Sequence, residues 1–186
     1  TLLMTAADQQ TIIANEADTT GTATVTGAGS MWSAAGTITI GYQGNGSATV
    51  SDGATVFTSK ETYIAYIDGS RGSLTIDGAN STWTSTGNVG VGLGVLQGAQ
   101  SATLGELTVS NGGRLTGPIV IAGWSAGSTG RIVVDGASST LAATTSARAG
   151  YYGTGTIIVS NGGKIDASGT ATVRIAKMAG STGRLI

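Results

Sequence analysis

Apolar residues fall on alternate positions in short bursts, and the bursts recur in a fixed order. The phrase Gly-x-apolar-x-Val/Ile occurs six times: Gly21 to Val25, Gly46 to Val50, Gly72 to Ile76, Gly105 to Val109, Gly130 to Val134 and Gly155 to Val159. A seventh copy begins at Gly183, and the starts are 25, 26, 33, 25, 25 and 28 residues apart. After each phrase comes a polar turn and a second apolar anchor. The anchor lies seven positions beyond Val25, Ile76 and Val134 (Trp32, Trp83, Leu141) and six beyond Val50, Val109 and Val159 (Val56, Leu115, Ile165). A third pair closes each unit: Ile38/Ile40, Thr62/Ile64, Val89/Val91, Ile119/Ile121, Ala147/Ala149 and Val173/Ile175.

Alternation of period two is the signature of a half-buried strand. Three such strands per unit, divided by Gly, Asn, Asp and Ser turns, make one coil of a stack. A fixed period of this kind is the mark of a repeat architecture. The expectation is an all-β, right-handed parallel β-helix (β-solenoid) of about six to seven coils of about 25 residues, with coils about 4.8 Å apart. Like residues then lie over like. Ala23, Ala48, Leu74, Leu107, Ile132 and Ile157 form one inward column, and Val25, Val50, Ile76, Val109, Val134 and Val159 form another. Thr24, Thr49, Thr75 and Thr108, followed by Val133 and Ile158, form an outward one. The rival is a meander or sandwich, since Asn45-Gly46, Asn111-Gly112 and Asn161-Gly162 are hairpin-type pairs. A sandwich gives no reason for one three-part unit to recur.

Residues 1–186 read as a single solenoid segment. Residues 1–20 are expected to be an irregular entry and partial coil, because Ile13 precedes Gly21 by the eight positions that separate Ile64 from Gly72. The 33-residue unit is expected to carry an inserted loop at 92–104, and insertions in repeat arrays map to loops on one face. A start in mid-pattern suggests a segment of a longer polypeptide, with neighbouring sequence capping its end coils.

Composition narrows the chemistry. With 32 glycines and one proline, the chain suits frequent tight turns. Only 10% of residues are charged and the net charge is −1, which argues against a nucleic-acid partner. Cysteine and histidine are absent, so there is no disulfide framework and no Ser-His-Asp triad. No run of about 18 apolar residues is present to span a membrane as a helix.

The phrases Gly-Ser-Leu-Thr-Ile-Asp-Gly-Ala-Asn-Ser-Thr-Trp (72–83) and Gly-Thr-Ile-Ile-Val-Ser-Asn-Gly-Gly-Lys-Ile (155–165) resemble repeats of bacterial autotransporter (type V secretion) passenger domains. So do the coil ends Ile40 to Gly46 and Ile175 to Gly183. The resemblance covers about residues 11–186. It implies a passenger β-helix at, or released from, a Gram-negative outer surface, acting as a structural or adhesive display element. Its partners would then be a host surface protein, a glycan or another copy of itself. No catalytic, cofactor or metal residue carries over, and the translocator barrel of that family is not in the sequence.

A carbohydrate-active enzyme or binding module on the same fold is the alternative. Glycoside hydrolysis needs two carboxylates about 5 Å or about 6.5–9.5 Å apart. Asp77 and Asp135 fall in one turn column two coils apart, which predicts about 10 Å. Asp52 aligns with Asn111 and Asn161, an interchange that suits a turn whose side chains bond nearby backbone. Asp68 and Arg71 read as a solvated turn pair. Trp32 and Trp83 share a column with Leu141 and read as core. Trp124, Tyr42, Tyr151 and Tyr152 lie at coil ends, with Tyr66 nearby, and are the candidate ligand contacts.

Overall fold

The computed structural model describes residues 2–4, 9–94 and 102–186. Its strands run in chain order around a triangular path. The chain enters through β1 (Leu2–Met4) and β2 (Thr11–Ile13). The first full coil is β3 (Thr20–Thr26), β4 (Met31–Ala34) and β5 (Ile38–Ile40), and the second is β6 (Asn45–Ser51), β7 (Thr55–Thr58) and β8 (Thr62–Ile64). The third is β9 (Arg71–Asp77), β10 (Thr82–Ser85) and β11 (Val89–Val91). In the next two coils the second and third strands fuse, giving β12 (Thr103–Ser110) with β13 (Arg114–Ala122), then β14 (Ser128–Asp135) with β15 (Thr140–Ala149). The stack ends with β16 (Thr154–Ser160), β17 (Lys164–Asp166), β18 (Thr172–Ile175) and β19 (Thr182–Leu185).

Every strand pair is parallel. The first strands of the coils form one sheet, in the order β19-β16-β14-β12-β9-β6-β3. The second and third strands form two further walls, joined into one sheet where β13 and β15 run unbroken round the corner between them. The molecule is therefore a parallel β-solenoid of about seven turns.

The inward columns stand as expected. Ala23, Ala48, Leu74, Leu107, Ile132 and Ile157 pair in register, as do Val25, Val50, Ile76, Val109, Val134 and Val159. Trp32, Val56, Trp83, Leu115, Leu141 and Ile165 face them from the second wall. All but the members nearest the ends are buried in one continuous core. The entry pairs as its spacing predicted, Ile13 beside Ile40 and Ile40 beside Ile64.

The glycine that opens each unit has its own cause. Gly21, Gly46, Gly72, Gly105, Gly130, Gly155 and Gly183 form one column. A Cβ there would run into the backbone at Ala14, Gly41, Ala65, Gly92, Gly123, Gly150 and Ala176 respectively. Those seven residues turn the corner from third wall to first with φ between 51° and 76°. The motif glycine is thus the space that the corner occupies, one coil at a time.

One third-wall pair differs from expectation. The inward residues of the fourth coil are Val120 and Ala122, which pair with Val89 and Val91, rather than Ile119 and Ile121. The corner containing Pro118 is one residue shorter here, and the register with β15 shifts between Gly117 and Ile119. Ile119 is half-buried, and Ile121 lies in the outward column between Gly90 and Arg148, where it is buried (1% exposed) outside the inward core. Of the loop expected at 92–104, residues 95–101 lie outside the described residues. Gly92 and Leu93 still follow the corner path, bonding Ile64 and Ala65, and Thr103 and Leu104 already belong to β12.

Candidate functional site

The corner between third and first walls carries the aromatic residues. The position after each left-handed corner residue repeats along the stack, and Asn15, Tyr42, Tyr66, Leu93, Trp124, Tyr151 and Lys177 occupy it in turn, four of them aromatic. The amides of the four aromatic members donate to the corner carbonyl one coil below: Tyr42 to Ala14 (3.1 Å), Tyr66 to Gly41 (2.9 Å), Trp124 to Gly92 (3.0 Å) and Tyr151 to Gly123 (2.9 Å). The backbone ladder thus sets the side chains in a row.

The rings touch in one unbroken series. Tyr42 stacks on Tyr66 with centroids 5.3 Å apart and planes 12° apart. Tyr66 leans on Tyr63 at 5.0 Å, Tyr63 meets Trp124 edge-on at 6.5 Å, Trp124 meets Tyr151 at 6.5 Å, and Tyr151 meets Tyr152 at 4.7 Å. Gly90 makes the series possible. A Cβ on it would lie 3.1 Å from Trp124 Cε3 and 3.3 Å from Tyr63 Cδ1, so its bare backbone is the notch in which Trp124 rests. Most rings are half-buried, and Tyr152 is 45% exposed.

The two ends differ in charge. At the Tyr42 end a cavity of about 250 Å3 is lined by Thr37, Thr39, Glu61 and three tyrosines. There Tyr63 has its pKa pushed up to about 12, by burial first and then by the Glu61 charge and Tyr66. At the other end Lys177 Nζ lies 4.6 Å from the centre of the Tyr151 ring, and Arg148 Cζ lies 5.3 Å from it. Such cation–ring contacts are attractive. Burial, and then the neighbouring Arg174 charge, lower the Arg148 pKa from the usual guanidinium value.

All four predicted contact residues, Trp124, Tyr42, Tyr151 and Tyr152, belong to this one strip, together with Tyr66. Tyr63 and the flanking cations were missed. Alternation alone places Tyr63 outward, between inward Thr62 and Ile64, and the glycine at its partner position in the next coil marks the gap beside it.

The acidic residues do different work. Asp77 Oδ1 accepts from Ser110 Oγ (2.6 Å) and Asn111 Nδ2 (2.7 Å), and Asp135 Oδ1 accepts from Ser160 Oγ (2.6 Å) and Asn161 Nδ2 (2.7 Å). Asp52 Oδ2 accepts from Thr26 Oγ1 at 2.7 Å. Each carboxylate latches its turn to the turn of an adjacent coil. The hydrogen bonds from Ser160 and then Asn161 hold the Asp135 carboxyl below its usual range, against a smaller opposing effect of burial. Asp68 and Arg71 form no ion pair. Arg71 instead lines an open groove of about 660 Å3 across the first wall, beside Glu106 and Arg131. Those two sit 3.8 Å apart in an exposed pair of the kind that contributes little stability. Among the described residues no three His, Cys, Asp or Glu side chains group closely enough to hold a metal ion.

What the strip can do chemically is bind. It offers ring edges and one exposed ring on a hydrogen-bonded backbone ladder, with cations at one end. No family model, no curated protein and no solved structure matches this chain.

Proposed function

We propose that this chain is a rigid shaft of an exported bacterial surface protein, of the autotransporter passenger kind, which presents an adhesive face and does no chemistry of its own. The observation that carries the reading is the in-register pairing of like residues from coil to coil. It builds a stiff stack with nearly one-dimensional stability and holds a row of aromatic residues along one corner. The bonding of Asp52, Asp77 and Asp135 into turn latches supports a structural role for the acids. The repeat phrases at 72–83 and 155–165, which resemble passenger repeats, support the surface setting. A carbohydrate-binding module on the same fold is a second reading, and the aromatic strip favours it.

The test is to coat beads with the 186-residue chain and score their adhesion to epithelial and bacterial cells and their clumping. The same protein is incubated with a panel of polysaccharides. The expected result is adhesion or clumping with no new reducing or unsaturated chain ends. Polysaccharide cleavage that disappears in Asp52→Ala or Asp77→Ala would overturn the reading.

A further inference from the structure

We propose that the Tyr151 end of the aromatic strip is a binding site for acidic polysaccharide, with Arg148, Arg174 and Lys177, gathered around the Tyr151 ring, holding carboxylate or sulfate groups and the exposed Tyr152 receiving the face of a sugar ring. The proposal deepens the adhesive reading by naming what the face adheres to, and it rests on that reading for its setting.

The first observation is a conflict of charge. Arg148 and Arg174 are register partners on adjacent strands β15 and β18, in the same outward column. Like charges set side by side on neighbouring strands repel and destabilise a sheet. Lys177 lies against the same Tyr151 ring as Arg148, which brings a third cation to the place. The chain has ten acidic residues to nine basic ones, so it is not short of partners. Yet the ion pairs among the described residues join Arg131 to Glu106 and Lys164 to Asp166, and none reaches this cluster. Three cations gathered without a carboxylate are poised for an anion from outside. Two of them are guanidinium groups, which match carboxylate and sulfate oxygens by paired hydrogen bonds. Arg148 Nε donates to Ser146 Oγ at 3.2 Å, which fixes that group's direction beforehand.

The second observation is what lies beside the cations. Tyr152, 45% exposed, meets Tyr151 edge-on at 4.7 Å, and Tyr151 meets Trp124 at 80°. A sugar ring has a flat C–H face that packs on an exposed aromatic ring while its acidic substituent reaches a cation at the side. An acidic peptide has no such face. A single nucleic-acid strand needs a row of parallel stacking platforms and a cationic groove that follows its backbone. Here the rings meet edge to face, and the far end of the strip carries Glu61 rather than a cation.

The experiment measures fluorescence anisotropy of labelled polygalacturonate, heparin, dextran, poly-glutamate and oligothymidylate against the 186-residue chain. Arg174 and Lys177 are both exposed, so the double variant Arg174→Glu with Lys177→Glu keeps the fold, checked by its circular-dichroism melt. Polygalacturonate or heparin should bind above dextran; binding of polygalacturonate, which carries carboxylates alone, shows that carboxylate suffices, and binding of heparin alone shows that sulfate is required. Binding should weaken about tenfold or more in the double variant, the loss of at least one charged contact. It should weaken in Tyr152→Ala, which changes no charge, and stay unchanged in Arg131→Glu. The proposal fails if neither acidic polysaccharide binds, if the double variant or Tyr152→Ala binds as the parent does, or if poly-glutamate or oligothymidylate binds as tightly. Adhesion of beads that ignore both polysaccharides would sink this site and leave the shaft reading standing. Polysaccharide binding without any adhesion would do the reverse.

Discussion

At the scale of single residues, the fold depends on a few side chains that break the aliphatic rule. Thr62 stands in an inward column between Ile38 and Val89, wholly buried. It is there because Trp83, also wholly buried, donates its indole N–H to Thr62 Oγ1 at 3.0 Å. Thr62→Val keeps the shape and removes the acceptor, and a buried donor left without a partner costs about 1–3 kcal/mol. Chemical denaturation should register that loss, accompanied by a change in tryptophan fluorescence. Asp135 makes a prediction in pH. Its folded pKa is depressed, so its latch contributes stability above the ordinary carboxylate range and loses it as pH falls through the depressed value. Carbon-detected NMR titration should find Asp135 below a normal aspartate in the parent. It should rise toward normal in Ser160→Ala, whose hydroxyl makes the larger contribution, and less so in Asn161→Ala.

At the scale of strands and corners, the sequence announced nearly all of the walls and only part of the corners. Alternation identifies inward residues wherever the turn length is regular, which is why the first and second walls could be read directly from spacing. It fails where a corner loses a residue. Leu115 precedes its third-wall partner Val120 by five positions, whereas Trp83 precedes Val89 by six. With Pro118 in between, Ile119 and Ile121 looked like the inward pair. The register of the structure makes the difference testable. Val120→Thr buries a hydroxyl in the core and should lower stability by about 1–3 kcal/mol. Ile119→Thr should stay within about 1 kcal/mol, since it faces outward. Equal losses would mean that the chain takes the other register. The aromatic strip was legible only as separate residues. Its continuity depends on Tyr63 lying outward, on Gly90 leaving a notch, and on side-chain directions that spacing does not encode.

At the scale of the whole molecule, each coil contacts its neighbours above and below, so stability accumulates along one axis. The last coils illustrate the other side of this. Val173, Ile175 and Leu185 are each more than two-fifths exposed, although their columns are buried in mid-stack. The aromatic strip runs along the same axis, and its ring contacts from coil to coil exist only while the coils stay in phase. That phase can be measured without background, since the chain contains no cysteine. Thr49 and Thr75 are outward register partners in adjacent coils, a spacing of about 4.8 Å that a disulfide can bridge, while Thr49 and Thr108 lie two coils apart, at about 10 Å, which it cannot. Under mild oxidation Thr49→Cys with Thr75→Cys should close to a monomeric disulfide, and Thr49→Cys with Thr108→Cys should remain reduced. Closure of the second pair in preference to the first would contradict the stacked register on which the account depends.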